Sequence, residues 1–362
     1  MTDSLVTAGL FPRIAGSYLV LELSNLCNLT CVHCAVSEKN HPHHLTTGHV
    51  DVSVVDALVN DMVINKLHFD VLILFWLGEP LLHPRFTTIY RRFVRAIHQH
   101  GIFSSIEVHT NSILLDASKR RVFLNQLPVA QKIHCTIDAF HSETYRSIKG
   151  RDALPTIMEN VEAIIREKSQ LQVHNPRIVL QYIVGSNNVD EAMTFKEHWV
   201  GIANSVNLPF FVSAGQIPNT SEDGIFFRQL DCPTEKEQQR EGEIFVQAMQ
   251  HMEVPFPQHE PTLDIETGLQ PCSGFWKSPT IDWQGNLTMC TRDNTLENAL
   301  GNIVQTPFSK LWWGDKQRGN RDRVSQSDYS ELKLCQDCFV PNSCNHSGIS
   351  TEEIHRYRSE RL

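Results

Sequence analysis

Along the first 215 residues, short runs of apolar and β-branched side chains alternate with segments whose apolar positions recur at helical spacing. The runs at 18–24, 70–77, 104–109, 133–138, 177–184 and 208–212 read as strands, and 51–65, 86–100, 117–126, 154–168 and 190–200 read as helices. Strands alternating with helices build right-handed βαβ units around a parallel sheet. Polar residues gather where these strands end: Glu22 and Ser24, Gly78 and Glu79, Thr110 and Asn111, Thr136 and Asp138. Barrel-type α/β enzymes keep their chemistry at that end. No Gly-x-Gly-x-x-Gly follows the first strand, which argues against a dinucleotide site.

Beyond Pro209 the pattern changes. A polar stretch at 215–223 leads to an amphipathic helix at 234–252, then to prolines at 255, 257 and 261. A β-hairpin is expected from 280–283 and 287–290 around Gln284-Gly285-Asn286, followed by a helix at 308–316. There is no internal repeat. Lys and Arg number 32 against 41 Asp and Glu, a net charge of −9 that argues against a broad grip on nucleic acid or anionic lipid. The longest wholly apolar run is 71–77, far below the ~18–20 residues of a membrane span. A cytoplasmic protein is expected.

The ten cysteines change the picture most. Cys27, Cys31 and Cys34 sit within eight residues just after the first strand, while Cys272, Cys290, Cys335, Cys338 and Cys344 lie in the last quarter. Cysteines clustered in a reducing compartment point to metal or catalysis. Three thiolates on one loop do not complete a tetrahedral zinc site, but they suit a cubane iron–sulfur cluster with one iron left open. In the second group Cys272, Cys290, Cys335 and Cys338 make a four-thiolate set, and by spacing alone zinc and [4Fe–4S] are both possible. Between the groups, Cys135 reads as a packed core thiol and Cys232 as a loop thiol. His41, His43 and His44 read as a solvated loop, and Arg318, Arg321, Asp322 and Arg323 as a solvated face.

Cys27-x3-Cys31-x2-Cys34 after an opening strand resembles the signature of the radical S-adenosylmethionine (SAM) superfamily. Gly78-Glu79-Pro80 is similar to that family's GGEP motif, with Leu77 in place of the first glycine. Thr110-Asn111-Ser112, Thr136-Ile137-Asp138 and Tyr145-x-x-Ile148-Lys149-Gly150 resemble the motifs that follow in order. The likeness covers residues 15–215 and implies a partial (β/α)6 barrel. It implies that His33 packs on adenine, that Gly78 and Glu79 hold the methionine amino group, and that Asn111, Thr136 and Lys149 complete the SAM site. Cys272-x12-Gly285-x4-Cys290, then Cys335-x2-Cys338, resembles the SPASM/twitch module. Leu300-Gly-Asn-Ile303 and Phe308-x2-Leu311-Trp312 match its linker. Five cysteines here, against seven in the full SPASM pattern, imply one auxiliary cluster, with Cys344 spare.

The resemblance therefore implies two [4Fe–4S] clusters and SAM as cofactors. It divides the chain into a barrel (1–215), a helical linker (216–265) and an auxiliary-cluster module (266–362). The expected chemistry is hydrogen abstraction from a substrate C–H with net two-electron oxidation, on a sugar- or aminocyclitol-like small molecule. A peptide-modifying maturase and a redox-neutral epimerase are the alternatives; the 26 residues before Cys27 favour a small substrate. Glu22, His109 and Asp138 are the candidate general bases. A flavodoxin- or ferredoxin-type electron donor is implied, with no nucleic-acid or membrane partner. Thr291 stands where sulfatase-maturating relatives carry Asp, which counts against that activity.

Overall fold

The computed structural model describes residues 13–34, 46–124, 127–215, 222–232, 234–256, 271–336, 338, 352–353 and 355–356. Seven strands form a parallel sheet: β1 (Tyr18–Leu21), β2 (Phe69–Leu74), β3 (Phe103–Thr110), β4 (Ala130–Thr136), β5 (Arg177–Val184), β6 (Phe211–Gly215) and β7 (Gly224–Gln229). Three short strands, β8 (Thr280–Ile281), β9 (Asn286–Thr288) and β10 (Gly301–Asn302), extend it, β8 running parallel to β1 and the other two antiparallel. The order is β10-β9-β8-β1-β2-β3-β4-β5-β7-β6, so the sheet is an open, partial barrel rather than a closed one.

Side chains alternate along each strand, and the two faces differ in kind. Leu19, Leu21, Leu72, Leu74, Ile106, Val108, Ile133, Cys135, Ile178, Leu180 and Tyr182 lie on one face and are buried in a single core. The helices of the βαβ units cover this face: α1 (Val52–Ile64), α2 (Phe86–His100), α3 (Ala117–Phe123), α4 (Ser142–Lys149), α5 (Leu154–Leu171) and α6 (Ala192–Ser205). The opposite face mixes apolar residues such as Val179 and Phe226 with the polar groups of the sheet. Strand register sets Glu107 beside Lys132, His109 beside His134, Thr136 beside Gln181, and Ile183 beside Arg228.

After the sheet come α7 (Glu235–His251), α8 (Gly274–Lys277), α9 (Phe308–Trp312), α10 (Asp315–Val324) and α11 (Lys333–Gln336). Several expectations are corrected here. The sixth strand lies three residues later than 208–212, at the outer edge, and β7, which was not expected, takes the place beside β5. The parallel sheet therefore runs on past residue 215. The helix expected at 308–316 is two helices broken at Gly314, whose backbone is extended. Arg321 is buried rather than solvated: its Nε donates to the Phe275 carbonyl at 2.8 Å and its guanidinium lies 5.0 Å from the Trp312 ring centroid. Cys135 is a core thiol as expected. Cys344 and His41, His43 and His44 lie outside the described residues. Among the described residues no helix is long and apolar enough to cross a membrane.

Trp312 joins the C-terminal helices to the barrel. It is fully buried and stacks on Phe308, which in turn meets Phe69 of β2, while Ser309 donates to Asp61 of α1 from both its backbone N (2.7 Å) and its hydroxyl (3.0 Å). Trp312→Ala should cost about 3–5 kcal/mol, the usual loss for emptying a buried aromatic site. The check is a denaturant titration, which should show one transition at a lower midpoint; an unchanged midpoint would contradict this packing role.

Candidate active site

The first cysteine loop leaves β1 and is pinned from two sides. Thr30 N donates to the Lys149 carbonyl (3.1 Å) and Val32 N to the Ile148 carbonyl (2.9 Å), which ties the loop to the end of α4. Gly150 makes that approach possible. Its φ is +74°, and a Cβ there would fall 2.0 Å from the Thr30 hydroxyl. Cys27 is exposed, and Cys31 and Cys34 are half-buried. Burial, then the neighbouring Glu79, Cys31 and Cys34, push the Cys27 thiol up to about 12. The three sulfurs are thus close enough to oppose one another's ionisation, a conflict that a cationic cluster reverses by binding them as thiolates.

Gly78 lies where β2 ends and the loop begins. A Cβ here would stand 2.2 Å from the Ser24 carbonyl oxygen and 2.5 Å from that of Leu26, so only glycine allows the contact. The next residue, Glu79, donates its N–H to Leu26 O at 2.8 Å. Its carboxylate is 2% exposed and accepts from the Thr110 hydroxyl (2.7 Å), Asn111 N (2.8 Å) and Leu81 N (3.0 Å). Burial raises it to about 7 despite these donors. Glu79 therefore locks the ends of β2 and β3 together. Asn111 donates to Asn28 Oδ1 at 2.7 Å, and its side-chain nitrogen is 4.0 Å from Cys27 Sγ. Thr136 is half-buried and donates to the Thr110 carbonyl at 3.3 Å, and His33 lies on the exposed side of the cysteine loop.

The three candidate bases fare differently. Asp138, just beyond β4 at φ +63°, is 1% exposed; it pairs with buried Lys149 and accepts from Ile183 N at 2.6 Å. Burial works against the Lys149 charge, but Asp138 and Cys31 outweigh it and hold the ammonium above the ordinary lysine range. Glu22 is 1% exposed and accepts from Leu77 N (3.1 Å) and Trp283 N (3.2 Å), so it bridges β2 to the β8–β9 turn. Burial lifts its carboxyl to about 7. His109 alone of the three stands on the face of the sheet opposite the helices, between Phe75 (ring centroids 5.2 Å) and His134 (4.1 Å).

The structure adds residues that the sequence reading passed over. Glu107 has Lys132 Nζ 2.7 Å from one carboxylate oxygen, and the Nε2 atoms of His109 and His134 3.5 and 3.4 Å from the other. Burial opposes the Glu107 charge, yet these neighbours hold its carboxyl well below the usual range. Burial, then the nearby His109, lowers His134 to about 4, so its imidazole is neutral. Period-two spacing of Glu107 with His109, and of Lys132 with His134, was the signal available in the sequence.

The second cysteine set forms around the β8–β9 hairpin. Asp282 shapes the turn by accepting from Gln284 N and Asn286 N, which aims the chain back toward Cys290. Cys272 and Cys290 are packed against the core, and burial, then Cys290, raises the Cys272 thiol. Cys335 is pushed up to about 12 by burial and by Cys290 and Cys338. Four soft sulfur donors brought together suit an iron–sulfur cluster, with the Asp293 carboxylate near enough to raise Cys290 and Cys335 further. Three contacts hold the hairpin against the barrel: Trp76 Nε1 donates to the Thr291 carbonyl (2.8 Å), Arg292 pairs with Asp231 (2.9 Å), and Glu22 accepts from Trp283. Cys232 is buried, its Sγ 3.9 Å from the Leu230 carbonyl.

Comparison with known proteins agrees with this geometry. Residues 21–191 match the radical SAM superfamily and residues 272–339 match the SPASM iron-sulfur cluster-binding domain. The chain thus carries a radical SAM domain followed by a C-terminal SPASM domain, and these two domains imply [4Fe–4S] clusters and SAM as cofactors. A probable GTP 3′,8-cyclase of Saccharolobus islandicus is 24% identical over 179 residues, covering 49% of this chain and 51% of that protein. The chain thus spans about half the length of that curated relative. A tungsten-containing aldehyde ferredoxin oxidoreductase cofactor-modifying protein of Pyrococcus furiosus is 19% identical over 360 residues, with 95% and 92% covered. The solved structure of native anSMEcpe with bound AdoMet and Cp18Cys peptide has the same fold, with a TM-score of 0.56 at 13% identity and 95% and 97% of the two chains covered.

Replacing Cys27, Cys31 and Cys34 together with Ala should lower iron from about eight to about four atoms per chain and abolish SAM cleavage. Retained cleavage would place the reactive centre elsewhere. Glu79→Gln keeps one accepting oxygen but turns an amide NH2 toward either Asn111 N or the Thr110 and Leu81 donors, so stability should fall by about 1–3 kcal/mol and SAM binding should weaken while iron content holds. Unchanged affinity and denaturation midpoint would show that the carboxylate is dispensable.

Proposed function

We propose that this enzyme oxidises a polar small molecule, of the sugar or aminocyclitol kind, by two electrons at a carbon bearing a hydroxyl or amine. The observation that carries the reading is the polar group on the face of the sheet opposite the helices, where Glu107, His109, Lys132 and His134 gather on strands whose far ends carry the SAM motifs. When bound, the cluster at Cys27, Cys31 and Cys34 with SAM supplies a carbon radical that takes one hydrogen atom from the substrate, and the cluster at Cys272, Cys290, Cys335 and Cys338 accepts one electron.

The protein's part is to hold the C–H in place, exclude water and favour loss of the O–H or N–H proton. Gly78, Glu79, Asn111, Thr136 and Lys149 shape the SAM side, with His33 on the adenine side. Glu22 and Asp138 are committed to backbone donors and to Lys149, so the group of Glu107, His109 and His134 is the one that meets the reacting proton. A single closed auxiliary set also favours oxidation, since a radical quenched by a thiol would send no electron there. The thiol of Cys232, directed at Leu230, offers little support for such quenching. A flavodoxin- or ferredoxin-type protein would supply the reducing electron.

Each turnover should consume one SAM, release 5′-deoxyadenosine and methionine, and leave the substrate two hydrogens lighter, read by mass spectrometry on a deuterium-labelled substrate. Cys272→Ala or Cys290→Ala should spare SAM cleavage and stall product. A product of unchanged composition carrying one solvent hydrogen would show epimerisation, and a crosslinked peptide would show a maturase; either outcome overturns the oxidation reading.

A further inference from the structure

Glu107, His109 and His134 are the one group among the described residues whose ligand atoms, one from each side chain, lie within 4.8 Å of one another outside the cysteine sets. They come from adjacent strands, β3 and β4, in register, near the middle of the sheet. His134 is fully buried, and neither of its ring nitrogens, nor His109 Nε2, has a hydrogen-bond partner. Both Nε2 atoms face Glu107 Oε2 at ion-pair range without a well-formed hydrogen bond, an arrangement that is costly to bury unless a cation binds it.

The spacing indicates what. Glu107 Oε2 is 3.5 Å from His109 Nε2 and 3.4 Å from His134 Nε2, long for a hydrogen bond. Ligands about 2.0–2.1 Å from a tetrahedral zinc ion stand about 3.3–3.4 Å apart. An octahedral ion with similar bonds would set its neighbouring ligands only about 3.0 Å apart. The other Glu107 oxygen is held by Lys132 at 2.7 Å, the kind of outer contact that orients a ligating carboxylate.

We propose that Glu107, His109 and His134 bind a zinc ion on the face of the sheet opposite the helices, with a fourth position left for a hydroxyl or amine of the substrate. Two histidines and one glutamate with an open position form a zinc site that can lower the pKa of a bound O–H. Only this last role rests on the oxidation reading; the site itself does not. The substrate class narrows to molecules that present a lone pair on oxygen or nitrogen next to the C–H being broken.

The test uses the anaerobic holoenzyme with both clusters loaded, washed with chelator and given one equivalent of zinc chloride. X-ray absorption at the zinc edge should show nitrogen and oxygen neighbours at about 2.0–2.1 Å and no sulfur shell near 2.3 Å. His134→Ala should weaken zinc binding at least about 100-fold while iron content holds. Should that variant fail to fold, the wild-type absorption spectrum still decides. A sulfur shell, or no zinc retained, would overturn the site and leave the oxidation reading standing with the histidines as proton acceptors. Zinc present without any oxidised product would keep the site and remove only its role.

Discussion

β1 is paired on both sides, with β2 on one and β8 on the other, and it leads straight into the cysteine loop. Everything at the reactive end depends on that placement. Glu22 follows β1 and fixes it: a carboxyl buried to 1% exposure draws Leu77 N from β2's loop and Trp283 N from the hairpin turn onto its two oxygens. Burial holds this carboxyl near 7 against the pull of its two N–H donors. A buried acid of this kind is tolerated where removing it would leave two backbone donors without partners. Sequence separations of 55 and 261 residues are thereby closed at one side chain.

The division of the sheet into two faces follows from the same geometry. Parallel strands linked by helices must bury one face under those helices, and the period of two then sends every other residue to the opposite side. That is why the apolar runs could be read so directly: β5 and α2 match their expected limits, and most other elements agree within a few residues. The motifs were legible for a related reason. Gly78 and Gly150 are required by backbone approaches that no other residue permits, and Glu79 by three convergent donors, so their identities carry geometric information.

What could not be read depended on contacts distant in sequence. β7 is six residues long and begins at a glycine, and its place between β5 and β6 is set by pairing with both. Arg321 carries no local sign of burial; Trp312 and the Phe275 carbonyl make its site. The contacts of Asp138 were hidden for the same reason, since its partners are Lys149, eleven residues on, and Ile183 N, forty-five residues on. Glu107, Lys132 and His134 look like ordinary strand polars until register sets β3 against β4.

The two cysteine sets differ in burial as they differ in number. Cys27, on the three-cysteine loop, is exposed, and the loop is held by backbone bonds, the Gly150 contact and the Asn111–Asn28 hydrogen bond. Cys272, Cys290 and Cys335 pack against the core, and Trp76, Asp231 and Glu22 tie their hairpin down. Three thiolates would leave one iron of a bound cubane free for a co-substrate, whereas four thiolates would fill every iron. Trp76 and Glu22 hold the hairpin of the second set against the loops that follow β2 and β1.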